Sequence, residues 1–398
     1  MKQFFSRLAL SLLAVAGIAF LGFVSAFIVT IYGGMIFYTP LVGIAAAGLA
    51  LYAILRIFDA WTPRLLNIGL ASFTALCLLA AGGYAVNNAY HNSFAKLSEQ
   101  EVNLSEYAPF TGKAIAVLDD TPDLKLENDL PRMDGATALY PLYASFAQAV
   151  YPEGEYHPYD PESSIVVCMT TPEAYNRLLR GETDIIFVAG PSDAQLRSFE
   201  RAGKEMVMTP IGREAFVFFV NERNPVDGLS TRQIKDIYAG KLTRWSEVGG
   251  GSGDIRAFQR PDGSGSQSML QSIMKGESLM TPPTEDVADL MSGIISRTAD
   301  YRNYKDAMGY SFLHYATEMN RNGEIKLLAV DGVAPNADNI ANGTYPMAKE
   351  FYAITAGAPG PDEQRLIDWI LSPQGQELVW KTGYVPLHGE AVSSSPQK

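Results

Sequence analysis

The sequence contains little cysteine or histidine, which excludes several kinds of site. Only Cys77 and Cys168 occur in 398 residues. Cys77 lies in a hydrophobic run and Cys168 in a predicted strand, so neither a disulfide framework nor a cysteine metal site is indicated. We interpret both as small buried apolar residues. The four histidines, at positions 91, 157, 314 and 388, have no metal-ligand spacing. We therefore expect no metal and no cofactor.

Charged residues are scarce in the first ninety positions. Up to Tyr90 the charged side chains are Lys2, Arg7, Arg56, Asp59 and Arg64. Three uncharged apolar runs, at 8–32, 36–55 and 65–89, make up most of the rest of this region. Because roughly 20 apolar residues cross the hydrocarbon core of a bilayer, each run is long enough for a membrane helix. Residues 1–90 are thus predicted to form a transmembrane region of about three helices.

The positive charges of this region predict its orientation. Lys2 and Arg7 precede the first run, and Arg56 and Arg64 separate the second from the third. Loops rich in Lys and Arg stay in the cytoplasm, so three crossings place the rest of the chain outside a bacterial inner membrane. The alternative is a cleavable signal peptide ending near Ala26, which would leave two spans and the same location.

The remaining chain lacks an excess of basic residues. Without the four basic and one acidic residue named above, the totals of 31 and 43 fall to 27 and 42, a net charge of −15. Nucleic acid is therefore excluded as an expected partner. An anionic ligand is not excluded, because salt screens exposed charges beyond roughly 8 Å and the groups nearest to a recessed site dominate there.

The region after residue 90 divides into a polar tether at 91–112, a folded domain at 113–390 and a tail at 391–398. Within the domain, short β-rich runs alternate with helical ones, which predicts an α/β fold. Candidate strands are 114–118, 164–169, 184–189, 215–221, 255–260, 325–330 and 351–355, and candidate helices begin near Thr137, Thr171, Ser192, Ser230, Ser266 and Asp362. Thr137 stands where an N-cap is expected.

The segment 258–274 contains a Gly- and Ser-rich turn, and this turn is the first indication of a ligand-binding site. A β-rich run ends at Arg260, and helical spacing begins after Ser264, Gly265 and Ser266. Free N–H groups and the helix dipole favour an anion at such a position, and an arginine fork fits a tetrahedral oxyanion. Asp262 could hold the guanidinium in place. An ordinary capped helix is the alternative interpretation.

Five blocks in this order resemble the phosphate-specific substrate-binding proteins of ABC transporters. They are DGATALYPLY at 134–143, TDIIFVAGPS at 183–192, LSTRQIKDIYAGKLTRWSEVGG at 229–250, QRPDGSGS at 259–266 and DWILSPQGQELVWKTGYVPL at 368–387. The resemblance implies a type II periplasmic-binding-protein fold that closes on inorganic phosphate. Its two α/β lobes would comprise about 113–217 with 328–390, and about 218–327. Two crossover strands, near 215–221 and 325–331, would join them.

The resemblance also implies the ligand-binding residues. In lobe 1 they are Thr137, Ala138 and Thr171. In lobe 2 they are Arg260, Ser264, Gly265 and Ser266, with Asp262 supporting the arginine.

One departure of the sequence from the family has chemical weight. Family members commonly have an aspartate that accepts the proton of hydrogen phosphate, but Ala189 stands there, and a gapped alignment would offer Asp193. We hypothesise that Glu214 replaces this acceptor. An ordinary hinge ion pair between Glu214 and Arg213 is the alternative.

The leading functional interpretation is a membrane-tethered phosphate-binding component of an ABC importer. Its partners would be the permease and ATPase subunits, and its anchor would contact membrane lipid. The alternative is a phosphate sensor that uses the same domain. An enzyme is not expected, because the sequence has no G-x-S-x-G elbow, P-loop lysine or metal-ligand cluster,. We therefore expect no catalytic residue.

Overall fold

The computed structural model describes residues 2–32, 34, 37–94, 96–97, 102–260, 262, 264–282, 301–319 and 325–387. These residues fall into two compact units. The helical unit ends at Phe94, and the α/β unit comprises the described residues from Lys96 onward. The predicted tail at 391–398 lies outside the described residues.

Three long helices form the helical unit. They are α1 (Lys2–Ile31), α2 (Tyr38–Ile57) and α3 (Pro63–Asn92), with a proline at the first position of α3,. By length and composition each could cross a membrane. Large apolar side chains such as Phe20, Leu51 and Leu79 are exposed on all three. Helices that are apolar on most sides are typical of a lipid environment.

Small residues bring the three helices close together. A Cβ atom added at Gly22 of α1 would lie 2.9 Å from the Cβ of Ala46 in α2, and one added at Gly48 of α2 would overlap the Phe73 ring in α3. Glycine therefore permits both helix contacts, and small residues have the same role in pairs of membrane helices.

The two ends of this helical unit differ chemically. An ion pair of 2.8 Å joins Arg7 to Asp59 at one end. At the other end the ring of Phe37 stacks on that of Tyr84, with 4.2 Å between centroids. Charged and aromatic side chains at the ends of apolar helices are typical of a membrane-spanning segment.

Eleven strands are described in the α/β unit. They are β1 (Lys96–Leu97), β2 (Met133–Gly135), β3 (Ile185–Val188), β4 (Met206–Asn221), β5 (Gly228–Leu229), β6 (Arg256–Ala257), β7 (Tyr301–Arg302), β8 (Ala307–Phe312), β9 (Ile325–Leu327), β10 (Ala329–Val330) and β11 (Ala348–Ala356). The main sheet has the order β2-β3-β11-β4-β8-β6, and β9 also pairs with β4.

Eight further helices accompany these strands. They are α4 (Tyr140–Val150), α5 (Thr170–Arg180), α6 (Asp193–Arg201), α7 (Thr231–Tyr238), α8 (Gly265–Ile273), α9 (Ala337–Ala341), α10 (Pro361–Ile370) and α11 (Pro373–Lys381). Ser192 and Ser230 cap α6 and α7, each with its side chain accepting the N–H of the residue three positions later. The helix starts predicted at these two serines are confirmed.

The long strand β4 joins the two lobes. Its first part, up to Ala215, pairs with β11, and its second part, from Phe216, pairs with β8 and β9. The crossover therefore occurs between Ala215 and Phe216, at the start of the predicted strand 215–221. Parallel and antiparallel pairs occur in the same sheet, and helices accompany it. The predicted two-lobed α/β class is confirmed.

The core of lobe 1 forms between β3 and α4. All four residues of β3 are buried. Phe187 of this strand stacks on Tyr143 of α4 at 4.9 Å and contacts Phe146 at 6.1 Å between ring centroids. The buried aromatic layer fixes α4 on the sheet, and with it the turn that precedes α4.

Two predicted strands are wrong. Residues 114–118 are irregular because no described strand pairs with them, and the carbonyl of Val117 instead accepts a bond from Lys381 Nζ of α11. Residues 164–169 provide only an isolated bridge between Val166 and Met133. A run of β-favouring residues predicts a strand, but it forms one only where a continuous hydrogen-bond ladder joins it to a neighbouring strand.

Residues 102–112, within the segment predicted to be a tether, contact lobe 1. A 3₁₀ turn at Leu104–Tyr107 buries Leu104, whose N–H donates to the Tyr159 hydroxyl at 2.8 Å. The N–H of Phe110 contacts Gln148 of α4. This part of the chain is therefore packed on the α/β unit.

We predict that Phe187→Ala lowers the free energy of unfolding of the α/β unit by about 3–5 kcal/mol, because it leaves a cavity under α4. Urea unfolding followed by the fluorescence of Trp245, Trp369 and Trp380 measures this. Leu196→Ala, at a side chain that is 40% exposed, is the control and should change the value by less than about 0.5 kcal/mol. Equal shifts for the two variants would contradict this account of the core.

Candidate functional site

The first turn of the site lies between β2 and α4 in lobe 1. Residues Thr137–Leu139 form a 3₁₀ turn that runs into α4. The predicted N-cap at Thr137 is wrong: Ala136 and Leu139 hold the two cap positions, and neither side chain caps. Thr137 is the first residue inside the 3₁₀ turn, one position after Ala136. The first N–H groups of a helix lack intrahelical acceptors, so those of Thr137 and Ala138 can bind a ligand.

The second turn of lobe 1 leads into α5. The helix begins at Thr170, whose φ of +70° lies in the left-handed region that β-branched residues rarely adopt,. Such strain is commonly found at functional sites. Met169 holds the cap position without a side-chain hydrogen bond. The adjacent Thr171 is buried, with its hydroxyl at the start of the helix.

Asp134 connects these two turns, and the sequence analysis did not identify it. Its side chain is fully buried, and Oδ1 accepts the N–H groups of Gly135 and Met169, both at 2.8 Å. Arg177 Nε lies 3.1 Å from Oδ2. Burial raises the pKa of Asp134 to about 6, against the lowering effect of the two N–H groups and Arg177. Asp134 is therefore an anion at neutral pH and holds both turns together.

Lobe 2 contributes the beginning of α8. Ser264 is its N-cap, with the side chain accepting the N–H of Gln267 at 3.2 Å, which confirms the predicted helix start. Gly265 and Ser266 follow in the first turn. Ser266 is only 3% exposed, and its hydroxyl has no hydrogen-bond partner in the described part of the chain. Because a buried hydroxyl without a partner is costly, this group indicates a ligand.

The backbone of Arg260 is hydrogen-bonded to residues at the beginning of α8 and in β8. Its backbone N–H donates to Gln267 Oε1 at 3.0 Å and to the Tyr310 hydroxyl at 2.9 Å. The sequence analysis missed Gln267 and Tyr310, because the contact joins a strand end to a helix and to a strand 50 residues away. Asp262 is exposed, and its Oδ1 accepts from Gln271 at 3.0 Å. Its predicted support of Arg260 stays a prediction.

The two lobes meet at Thr171 and Gly265. A Cβ atom added at Gly265 would lie 3.3 Å from Thr171 Oγ1 and 3.9 Å from the Phe312 ring. The adjacent cavity has a volume of about 10 Å³, enough for about one water molecule,. Its lining comprises Ala136, Ala138, Leu139, Ala189, Glu214, Gly265, Phe312, Lys349, Glu350 and Phe351. An anion of several heavy atoms can therefore enter only if the lobes separate.

Glu214 lies in this cavity, on β4 beside the crossover. It is 6% exposed, and its Oε1 accepts the backbone N–H of His314 at 2.7 Å. Burial raises its pKa to about 8. Ala189 lines the same cavity, whereas Asp193 is exposed on α6. No ion pair joins Arg213 to Glu214 among the described residues, so the alternative of a hinge ion pair is not supported.

Comparison with known proteins identifies the family. A family model described as a PBP superfamily domain matches residues 129–374. The chain belongs to the PBP superfamily. Among the described residues, no group of three or more His, Cys, Asp or Glu side chains could hold a metal ion.

Two similar proteins are named phosphate-binding proteins. The phosphate-binding protein PstS of Bacillus subtilis is 29% identical over 170 residues, which cover 42% of this chain and 53% of that protein. PstS of Pseudomonas aeruginosa is 26% identical over 224 residues, with coverages of 51% and 67%. The chain thus spans about half to two thirds of the length of these relatives. The resemblance to phosphate-binding proteins is confirmed.

A solved structure of an ABC-type phosphate transport receptor from Vibrio cholerae is also similar. It has 20% sequence identity and a TM-score of 0.46, and the match covers 64% of this chain and 98% of that one.

We predict that Asp134→Asn accelerates hydrogen exchange at the Gly135 and Met169 amides by about tenfold, because a neutral acceptor forms weaker hydrogen bonds than a carboxylate. It should also destabilise the α/β unit by about 3 kcal/mol, since Arg177 loses its buried partner. Exchange detected by mass spectrometry or NMR measures the first effect.

Asp362→Asn is the control for this prediction, since Asp362 pairs with Arg365 at the surface of the same lobe at 2.7 Å. It should cost less than about 1 kcal/mol. Unchanged exchange of both amides in Asp134→Asn would contradict the role of Asp134.

Proposed function

We propose that the α/β unit binds inorganic phosphate between its lobes and acts as the substrate-binding component of a membrane-tethered ABC importer. The observation that carries this proposal is the convergence of two helix starts, one from each lobe, at Thr171 and Gly265. The buried hydroxyl of Ser266, which has no hydrogen-bond partner among the residues that the structure describes, lies in one of them.

The chemistry of these groups suits a tetrahedral oxyanion. Two uncapped turns in lobe 1 offer N–H groups at Thr137 and Ala138 and a hydroxyl at Thr171. In lobe 2, α8 offers N–H groups at Gly265 and Ser266, the positive end of a helix dipole and a serine hydroxyl. Arg260 adds a cation whose fork matches two oxygens of phosphate.

Ligand entry would require opening of the lobes about the point in β4 where its pairing changes, between Ala215 and Phe216. The cavity of about 10 Å³ represents a closed arrangement. Hinge motion between two lobes is common in this type of protein. Closure then removes water from the anion and strengthens each hydrogen bond to it in the less polar interior.

The relatives support phosphate as the ligand, because the matched proteins of Bacillus subtilis and Pseudomonas aeruginosa are named phosphate-binding proteins. In this proposal no bond is made or broken, so the protein is not an enzyme. Neither a cofactor nor a metal takes part.

The three apolar helices support a membrane location. With the N-terminus in the cytoplasm, they would anchor the binding unit on the extracytoplasmic side of a bacterial inner membrane. Its partners would be the permease and ATPase subunits of the importer, and lipid would surround the anchor. Tethering would raise the concentration of binding protein near the permease. No feature in the described ranges favours the sensor alternative.

The binding proposal is tested by isothermal titration of phosphate into the full chain in detergent micelles. We expect binding by the wild type, a loss of about ten- to a hundredfold in Arg260→Ala, and a smaller loss of about tenfold in Ser266→Ala. Arg365→Ala, at an exposed position of α10, and Ser198→Ala, at a partly exposed position of α6, are matched controls that should leave affinity unchanged. No heat with phosphate in the folded wild type would refute the proposal.

The transport role needs a separate experiment in cells. Deletion of the protein should lower the initial rate of phosphate uptake. Phosphate-responsive gene expression should still follow the internal phosphate concentration, as it does in the wild type. Complementation with the wild type should restore uptake, and Arg260→Ala should not. Normal uptake with altered gene expression would instead support the sensor.

A further inference from the structure

Glu214 is a buried carboxyl group at the junction of the lobes. In β4 it lies two residues before Phe216, the first residue of the strand that pairs in lobe 2. Its cross-strand partner is Lys349 of β11. The His314 N–H occupies Oε1 at 2.7 Å. Oε2 has no hydrogen bond to any described residue, and the residue lines the cavity between Ala138 and Gly265.

The groups packed around Glu214 do not compensate a negative charge. Lys349 and Glu350 come from β11, and Lys349 is exposed and forms no ion pair with Glu214 among the described residues. His314 follows β8, and burial lowers its pKa to about 4, so its ring is neutral. Burial, and to a lesser extent Glu214, raises the pKa of Tyr384, in the segment after α11, well above its usual value. The remaining cavity lining is uncharged.

A carboxylate in this position would oppose an anionic ligand. Two negative charges a few ångströms apart repel strongly in a poorly solvated site, and protonation of the carboxyl removes the repulsion. The His314 N–H can donate to Oε1 in either protonation state, because that oxygen is the carbonyl oxygen of the neutral acid. Protonation would place an O–H on Oε2, the oxygen that is left for the cavity.

We propose that Glu214 is protonated when the anion is bound and donates a hydrogen bond from Oε2 to it, so that anion binding is coupled to proton binding. This inference rests on the proposed oxyanion site. It reverses the role hypothesised from the sequence, in which Glu214 accepts the proton of hydrogen phosphate. An acceptor rejects sulfate, which has no proton to give, whereas a donor binds sulfate as well as phosphate.

The two roles predict opposite dependences on pH. Burial raises the pKa of Glu214 to about 8. As a donor, Glu214 supports anion binding fully below that pH, and the affinity falls by about tenfold per pH unit above it, since one proton is linked to binding. Sulfate is the better probe, because it stays fully ionised over this range while phosphate itself titrates.

The experiment is isothermal titration of sulfate and of phosphate into the full chain in detergent micelles, between about pH 6.5 and about pH 9.5. Titration at about pH 9 in two buffers of different ionisation enthalpy counts the protons taken up. We expect sulfate to bind, its affinity to fall about tenfold per pH unit above the Glu214 pKa, and about one proton to be taken up per anion.

Glu214→Gln tests the assignment, because its amide N–H₂ can donate but cannot titrate. It should bind both anions with little dependence on pH and with no proton uptake. Glu350→Gln, at a second acidic residue of the cavity lining, is the control and should keep the pH dependence of the wild type. The wild-type proton count decides the question even if Glu214→Gln does not fold.

Several results would overturn the inference without affecting the proposed function. They are phosphate binding with rejection of sulfate, sulfate binding without proton uptake, and a pH dependence that persists in folded Glu214→Gln. If neither anion binds to the wild type at any pH, the proposed function fails and this inference fails with it.

Discussion

The α/β unit depends on one continuous strand that serves two lobes. β4 is 16 residues long, and its hydrogen-bond ladder changes partner from β11 to β8 between Ala215 and Phe216. Both halves are held in extended sheets, so bending is confined to the few residues where the partner changes. Glu214 lies beside this point, which places a buried carboxyl group where the two lobes separate and close.

The candidate anion site is built from local groups within a chain of net negative charge. The formal net charge is −12 over the whole sequence. The carboxylate of Asp134 is paired with two backbone N–H groups and Arg177. The lobe junction presents helix starts, hydroxyl groups and, in the same segment as Gly265, Arg260, beside the charged or titratable side chains of Glu214, Lys349 and Glu350. An acidic protein can thereby present a site suited to an anion.

Much of this arrangement could be predicted from the sequence, because the signals were local. Serine at a helix start followed by helical spacing identified α6, α7 and α8 correctly. The strand predicted at 114–118 is wrong because a run of β-favouring residues does not reveal whether a partner strand exists. Asp134, Gln267 and Tyr310 were missed because their contacts join residues far apart in the chain. The sequence analysis named both Ala189 and Glu214. That the two residues line the same cavity became visible only in the folded structure.

The central claim is that one anion is bound by both lobes at the junction of Thr171 and Gly265. Hydrogen exchange of the full chain with and without phosphate tests it most directly, because backbone N–H groups are the proposed ligands. We predict that phosphate slows exchange in two segments together, at Thr137–Ala138 in lobe 1 and at Gly265–Ser266 in lobe 2. Protection of one segment alone, or of neither, would contradict binding between the lobes.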